Sequence, residues 1–178
     1  MNLTQRIVAG VAVLAVVAAV AYLAFFRNGT SHETARYTND TYGYTFEHPV
    51  EDEVRAESPE HLIVSEPGDG SETYVHVAEG SDSDFESFAG QAARGTCGEC
   101  GEVAALQPFT STRGLGGVIF YLLITGSDGE YRGPFFAYDI SSPGTTRALL
   151  VYGTSGSEED PLSVGLIADS IEIQEAEG

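Results

Sequence analysis

The sequence predicts an α+β domain, a central antiparallel sheet flanked by helices, behind one N-terminal transmembrane helix. Three observations carry this. Ile7–Phe26 is an uncharged apolar run of 20 residues, and a helix of that length rises about 30 Å, the depth of a hydrocarbon core. Beyond it, short segments of alternating apolar and polar residues recur between Gly- and Pro-bearing turns, the pattern of half-buried strands. Two segments change to helical spacing, and strands with a few helices make an antiparallel sandwich.

Residues 1–27 are read as an anchor, 28–36 as a tether, 37–173 as the domain and 174–178 as a frayed tail. A cleaved signal peptide and a buried core helix are the competing readings of the first segment. The run is longer than a signal h-region and lacks a polar stripe. Tyr22, Phe25 and Phe26 suit a membrane interface. Arg6 on one side and Arg27 and Arg36 on the other leave the positive-inside count nearly balanced. A short N-terminal tail inside sets the domain on the extracytoplasmic side. The expected location is therefore the cell membrane, single-pass. Asn28-Gly-Thr30 and Asn39-Asp-Thr41 match the glycosylation sequon, a short pattern that also arises by chance.

The chain of 178 residues has 27 acids and eight cations, all eight arginine, for a net charge of −19. Every acid lies at or after Glu33, against six arginines, so this part carries about −21. Such a domain repels nucleic acid and anionic lipid. An acidic, lysine-free surface suits a salt-adapted protein, because screening removes self-repulsion; a GC-rich genome favouring Arg over Lys is the other explanation.

Tyr42, Tyr44 and Phe46 alternate with Gly43 and Thr45, and Pro49 ends that strand. His61–Glu66 and Glu72–Ala78 flank Pro67-Gly-Asp-Gly70 as a hairpin. In Asp82–Arg94, Phe85, Phe88, Ala89 and Ala92 fall at helical spacing, with Ser83 and Glu86 as a capping box and Gly95 as the stop. Four strands follow, Val103–Thr112, Gly117–Thr125, Phe135–Ser141 and Arg147–Gly153. Val118–Ile124 is continuously apolar and is read as the central strand. Pro134 stands just before the third of them, and Gly126–Gly129 and Ser142–Thr145 are turns. Asp160-Pro161 reads as N-cap and N1 of a helix over Pro161–Ala168, and Ser170–Ile173 closes the fold as a strand.

Tyr42-Gly-Tyr-Thr-Phe-Glu-His-Pro49 resembles the opening of PsbP-like domains. Leu166-Ile-Ala-Asp-Ser-Ile-Glu-Ile173 is similar to their closing helix and strand, and Phe85-Glu-Ser-Phe88 to their first helix. The resemblance covers about residues 37–173 and extends to DcrB-like α/β/α sandwiches. It implies an antiparallel sheet flanked by helices and a partner-binding role without a shared catalytic motif. Two departures stand out: no Trp follows Pro49, and the cysteine pair is outside the family pattern.

Cys97-Gly-Glu-Cys100 is the sharpest local feature. In an oxidising compartment it reads as a disulfide. Redox chemistry is the second reading, although reactive pairs sit at helix N-termini, and here the pair follows a helix beside Glu99 and Glu102. Metal binding is the third, although one C-x-x-C supplies two of the four ligands of a structural zinc. His61 and His76 face each other across the hairpin as a surface pair more readily than as ligands. Asp82, Asp84 and Glu86 lack the offsets of a calcium loop. Gly114-Leu-Gly-Gly117 lacks the strand-before, helix-after setting of a phosphate loop. Gly153-Thr-Ser-Gly-Ser157 lacks the second glycine of a nucleophile elbow. The expected function is that of an extracytoplasmic binding or accessory domain with a protein partner, no cofactor, no metal and no catalysis; thiol redox or metal handling at Cys97 and Cys100 is the alternative.

Overall fold

The computed structural model describes residues 33–68, 70–81, 84–125, 130–154 and 162–174. The anchor Ile7–Phe26, His32, Asn28-Gly-Thr30, Asp82, Ser83, the turn Gly126–Gly129, the pair Asp160-Pro161, Ser155–Ser157 and the tail after Gln174 lie outside them. Among the described residues no helix is long and apolar enough to cross a membrane.

Five strands come first: β1 (Thr34–Asn39), β2 (Tyr44–Pro49), β3 (Glu53–Ser58), β4 (His61–Ser65) and β5 (Glu72–Gly80). Helix α1 (Phe85–Thr96) follows, then β6 (Cys100–Thr110), β7 (Gly116–Ile124), β8 (Tyr131–Asp139) and β9 (Thr146–Thr154), and finally α2 (Leu162–Ser170) and β10 (Glu172–Ile173). All pairings among the described residues are antiparallel. The strands form two sheets where the sequence predicts one: a seven-stranded sheet in the order β3-β4-β5-β9-β8-β7-β6 and a three-stranded sheet β1-β2-β10.

The large sheet is buried on both faces because its middle strands are apolar at successive positions, Leu149, Leu150 and Val151 being fully buried. One face carries Phe120, Leu122, Phe135, Ala137, Ala148, Leu150 and Tyr152, and α1 packs there through Ala89 and Ala93. Small side chains let the helix axis approach the sheet. The opposite face receives α2: the Tyr138 hydroxyl donates to the Ala168 carbonyl, and Thr73 Oγ1 meets Ser163 Oγ at 2.6 Å. Helix α2 in turn holds the small sheet, Ser170 Oγ accepting from Glu47 N–H at 2.8 Å. Tyr44 and Phe46 of β2 are fully buried, each such side chain stabilising the fold by about 2–3 kcal/mol.

Several expectations are corrected. β1 begins at Thr34, three residues inside the segment read as tether, and the polar strand β3 is an element that the sequence pattern does not predict. Asp84 is the N-cap of α1, one residue beyond the predicted Ser83. β7 is second from the edge, between β8 and β6, and the centre belongs to β9. β8 starts at Tyr131, so Pro134 lies inside it. The ladder accommodates it with a bulge, since Phe120 pairs with Phe135 and Leu122 with Arg132, which leaves Gly133 and Pro134 opposite Tyr121. The edges are blunted against further strand pairing: β6 carries two register shifts and Pro108, and β3 exposes Glu53, Arg55 and Glu57.

Candidate functional site

The sequence-predicted pair sits where α1 ends and β6 begins. Thr96 Oγ1 donates to the Ala93 carbonyl at 2.7 Å, and Cys97 N–H donates to Arg94 O at 3.2 Å. Cys100 N–H donates to Cys97 O at 3.1 Å, closing the turn through the backbone alone. The Cα atoms of Cys97 and Cys100 are 5.4 Å apart, the spacing of a disulfide, and the two sulfurs are bonded. Cys97 is 4% exposed and belongs to the cluster under α1, whereas Cys100 is half-buried at the start of the edge strand.

Arg132 of β8 points its guanidinium at this corner, Nη1 donating to Cys97 Sγ at 3.6 Å. Tyr152 lies alongside. Burial pushes its phenol up, with the Thr96 hydrogen bond and the Arg132 charge opposing the rise. The corner thus sets an arginine against the Cys97 sulfur, with the same arginine and the Thr96 hydroxyl acting on the Tyr152 phenol. No local sequence signal points to Arg132, which is 35 positions from Cys97.

A second grouping runs along the α1 face of the sheet. His61 and His76 are direct cross-strand partners, with ring centroids 5.6 Å apart and planes at 82°. His61 stacks on Tyr74 at 5.7 Å, and Tyr74 on Tyr152 at 5.3 Å. Tyr152 stacks on Phe135 at 5.1 Å, and Phe135 on Phe120 at 5.6 Å. The result is an aromatic row across five adjacent strands, each contact adding roughly 0.5–1.5 kcal/mol beyond area burial. Glu57 Oε2 lies 3.3 Å from His61 Nδ1. Burial lowers the His76 pKa, the neighbouring His61 lowers it further, and a hydrogen bond to the Glu60 backbone and the Glu60 charge oppose this. Among the described residues no group of three or more His, Cys, Asp and Glu could hold a metal ion.

The remaining motifs resolve locally. Gly114-Leu-Gly-Gly117 forms the β6–β7 turn, closed by Ser111 N–H to Leu115 O and Gly114 N–H to Ser111 O, both 2.9 Å. Gly117 is there for packing, because a Cβ would stand 2.4 Å from the Ala137 carbonyl oxygen. Asp84 and Glu86 start α1 on its exposed side. His48 is buried, with Nδ1 2.8 Å from the Pro49 carbonyl. Asn39 of the second sequon is 5% exposed.

Four arginines are tied to glutamates. Arg36 bridges to Glu172; Arg113 bridges to Glu47 at 2.5 Å and to Glu172 at 3.4 Å. Arg147 meets Glu79 at 2.6 Å and lies 5.8 Å from the Tyr42 ring centroid. Arg55 reaches Glu57 at 3.5 Å. Each such surface pair adds at most about 1 kcal/mol. Together they occupy most of the domain's positive charge.

Fold and site define an acidic, mostly antiparallel α+β domain with two helices and a disulfide-closed corner. The chain is similar to the solution structure of cyanobacterial PsbP (CyanoP) from Synechocystis sp. PCC 6803, at 14% identity over 82% of this chain and 95% of that one, with a TM-score of 0.49. It is also similar to a crystal structure from Bacteroides thetaiotaomicron VPI-5482, at 6% identity and a TM-score of 0.39, covering 83% of this chain and half of that one. No family model matches the chain, and no curated protein does.

Proposed function

We propose that this chain is a membrane-tethered accessory domain, held by Ile7–Phe26 on the extracytoplasmic side, that works by binding a protein partner and not by catalysis. The observation that carries the reading is the commitment of Arg36, Arg55, Arg113 and Arg147 to glutamates. With four of its six arginines paired internally, a segment of about −21 presents a negative field to its surroundings. The partner is accordingly a protein with a basic face, and nucleic acid is disfavoured. The PsbP-like residues of the sequence agree with such a role.

The test is capture of partners from solubilised membranes with the full chain, followed by elution in a salt gradient. A protein with a basic face that elutes early in the gradient supports the reading. Retention of nothing at any salt concentration removes it. Protease added to intact cells tests the placement: the domain is degraded if it faces outward and survives until lysis if it faces the cytoplasm.

A further inference from the structure

We infer that Cys97–Cys100 is a reversible two-electron couple, in which Cys100 is the sulfur open to an external dithiol and Cys97 is the leaving thiolate received by Arg132. This goes beyond partner binding and does not depend on it. Three observations converge. The two residues differ in access, Cys97 being 4% exposed within the core cluster and Cys100 half-buried against that cluster at the edge strand. An attacking thiolate therefore meets Cys100 first. The sulfur that must leave is the one to which Arg132 Nη1 already donates at 3.6 Å. Thiol–disulfide exchange runs faster when the departing thiolate is stabilised, and a guanidinium does this. The α1 C-terminus and Glu99 oppose negative charge at Cys97; the contact with Arg132 offsets them at closer range.

The third observation concerns what the bond does for the fold. It joins residues only three positions apart, so the chain entropy it removes from the unfolded state is small. The same turn is held by Cys100 N–H on Cys97 O at 3.1 Å and by Thr125 N–H on Glu99 O at 2.7 Å. Opening the disulfide leaves these bonds in place, and the thiols stay side by side for reclosure.

In the forward step, a thiolate of the external dithiol attacks Cys100 Sγ. The S–S pair of electrons departs on Cys97, giving a mixed disulfide on Cys100. The reagent's second thiolate then attacks its own sulfur in that mixed disulfide. Cys100 is released and takes a proton from water. The reagent is oxidised to a disulfide, and the protein gains two electrons.

The experiment equilibrates the full chain, in detergent, with buffers of oxidised and reduced dithiothreitol. Free thiols are counted by alkylation and intact mass, and the fold is followed by circular dichroism. Expected is a reversible two-electron transition with the fold retained. Arg132→Gln should shift the dithiol:disulfide ratio at least tenfold towards disulfide, about 30 mV, while Arg132→Lys stays near wild type. Glutathione trapping followed by peptide mapping should place the mixed disulfide on Cys100. Resistance to reduction until the protein unfolds overturns the inference, as does a mixed disulfide on Cys97 or an Arg132→Gln midpoint equal to wild type. If Arg132→Gln does not fold, the mapping alone decides.

Discussion

The side-chain amide of Asn39 donates to the Tyr44 hydroxyl at 3.1 Å, joining the two residues that face each other at the end of the β1–β2 hairpin. The same nitrogen donates to the Pro59 carbonyl at 2.7 Å, and Oδ1 accepts from the N–H groups of Thr41 and Tyr42, both at 3.1 Å. One buried amide thus ties the small sheet to the β3–β4 turn. Asn39→Ala leaves a buried phenol and a carbonyl unpaired and should lower the unfolding free energy by about 2–4 kcal/mol, read from urea unfolding. The nitrogen that a glycan would need is buried and bonded. Peptide mass mapping after expression in a glycosylating host should find Asn39 unmodified.

His76 predicts a pH response. Burial depresses its pKa in the folded state, so the unfolded chain binds the proton at a higher pH than the folded one. Its contribution is present above the unfolded value, near 6.5, and is lost as pH falls from there towards the folded value. His61 and Glu60 are the titratable groups that act on it, and Glu57 and Tyr74 lie against His61. Urea midpoints for wild type should fall between pH 7.5 and 5.5, and fall less for His76→Gln. Equal slopes would remove His76 as the cause.

Gly117 and Gly116 differ by one position and should differ sharply in tolerance. A Cβ on Gly117 would meet the Ala137 carbonyl oxygen at 2.4 Å, a backbone atom that cannot swing aside, whereas nothing lies within 4 Å of a Cβ on Gly116. Gly117→Ala should destabilise by about 1–3 kcal/mol through overpacking, and Gly116→Ala should stay within about 0.5 kcal/mol of wild type. Thermal unfolding of the pair reads the difference.

Reduction of Cys97–Cys100 should cost the fold about 2 kcal/mol from chain entropy, against about 5 for a bridge closing 100 residues. Urea unfolding with and without a dithiol measures this. A loss of all cooperative structure on reduction would show that the bond holds more than its own turn.

Salt should stabilise the domain. A segment of about −21 repels itself in dilute buffer, and the Debye length shrinks from about 10 Å at 0.1 M to about 3 Å at 1 M. The unfolding midpoint is expected to rise as KCl is raised over that range; a flat or falling midpoint contradicts the salt-adapted reading.

Much of the fold is legible in the chain. The β4–β5 hairpin is predicted to within a few residues, because Leu62, Val64, Val75 and Val77 alternate on one face around a Pro/Gly turn. α1 is visible in the spacing of Phe85, Phe88, Ala89 and Ala92. β3 is not, since Glu53–Ser58 has few apolar residues and is a strand only because β4 pairs with it. Val118–Ile124 reads as central because an unbroken apolar run reports burial on two faces. α1 shares a buried cluster with Phe120 and Leu122 of β7, and on the other face Ile119 is 5% exposed, so the run reports burial and not distance from the edge.

The sequence by itself determined the antiparallel class, the acidity of the domain and the closeness of Cys97 to Cys100, because each depends on neighbours a few positions apart. Only the tertiary structure decided that β10 joins the β1–β2 hairpin in a sheet of its own, that Asn39 is tied to Pro59, and that Arg132 faces Cys97. Those contacts join segments 20 or more positions apart in the chain. Their closure is set by the packing of whole layers, which no local window of residues contains.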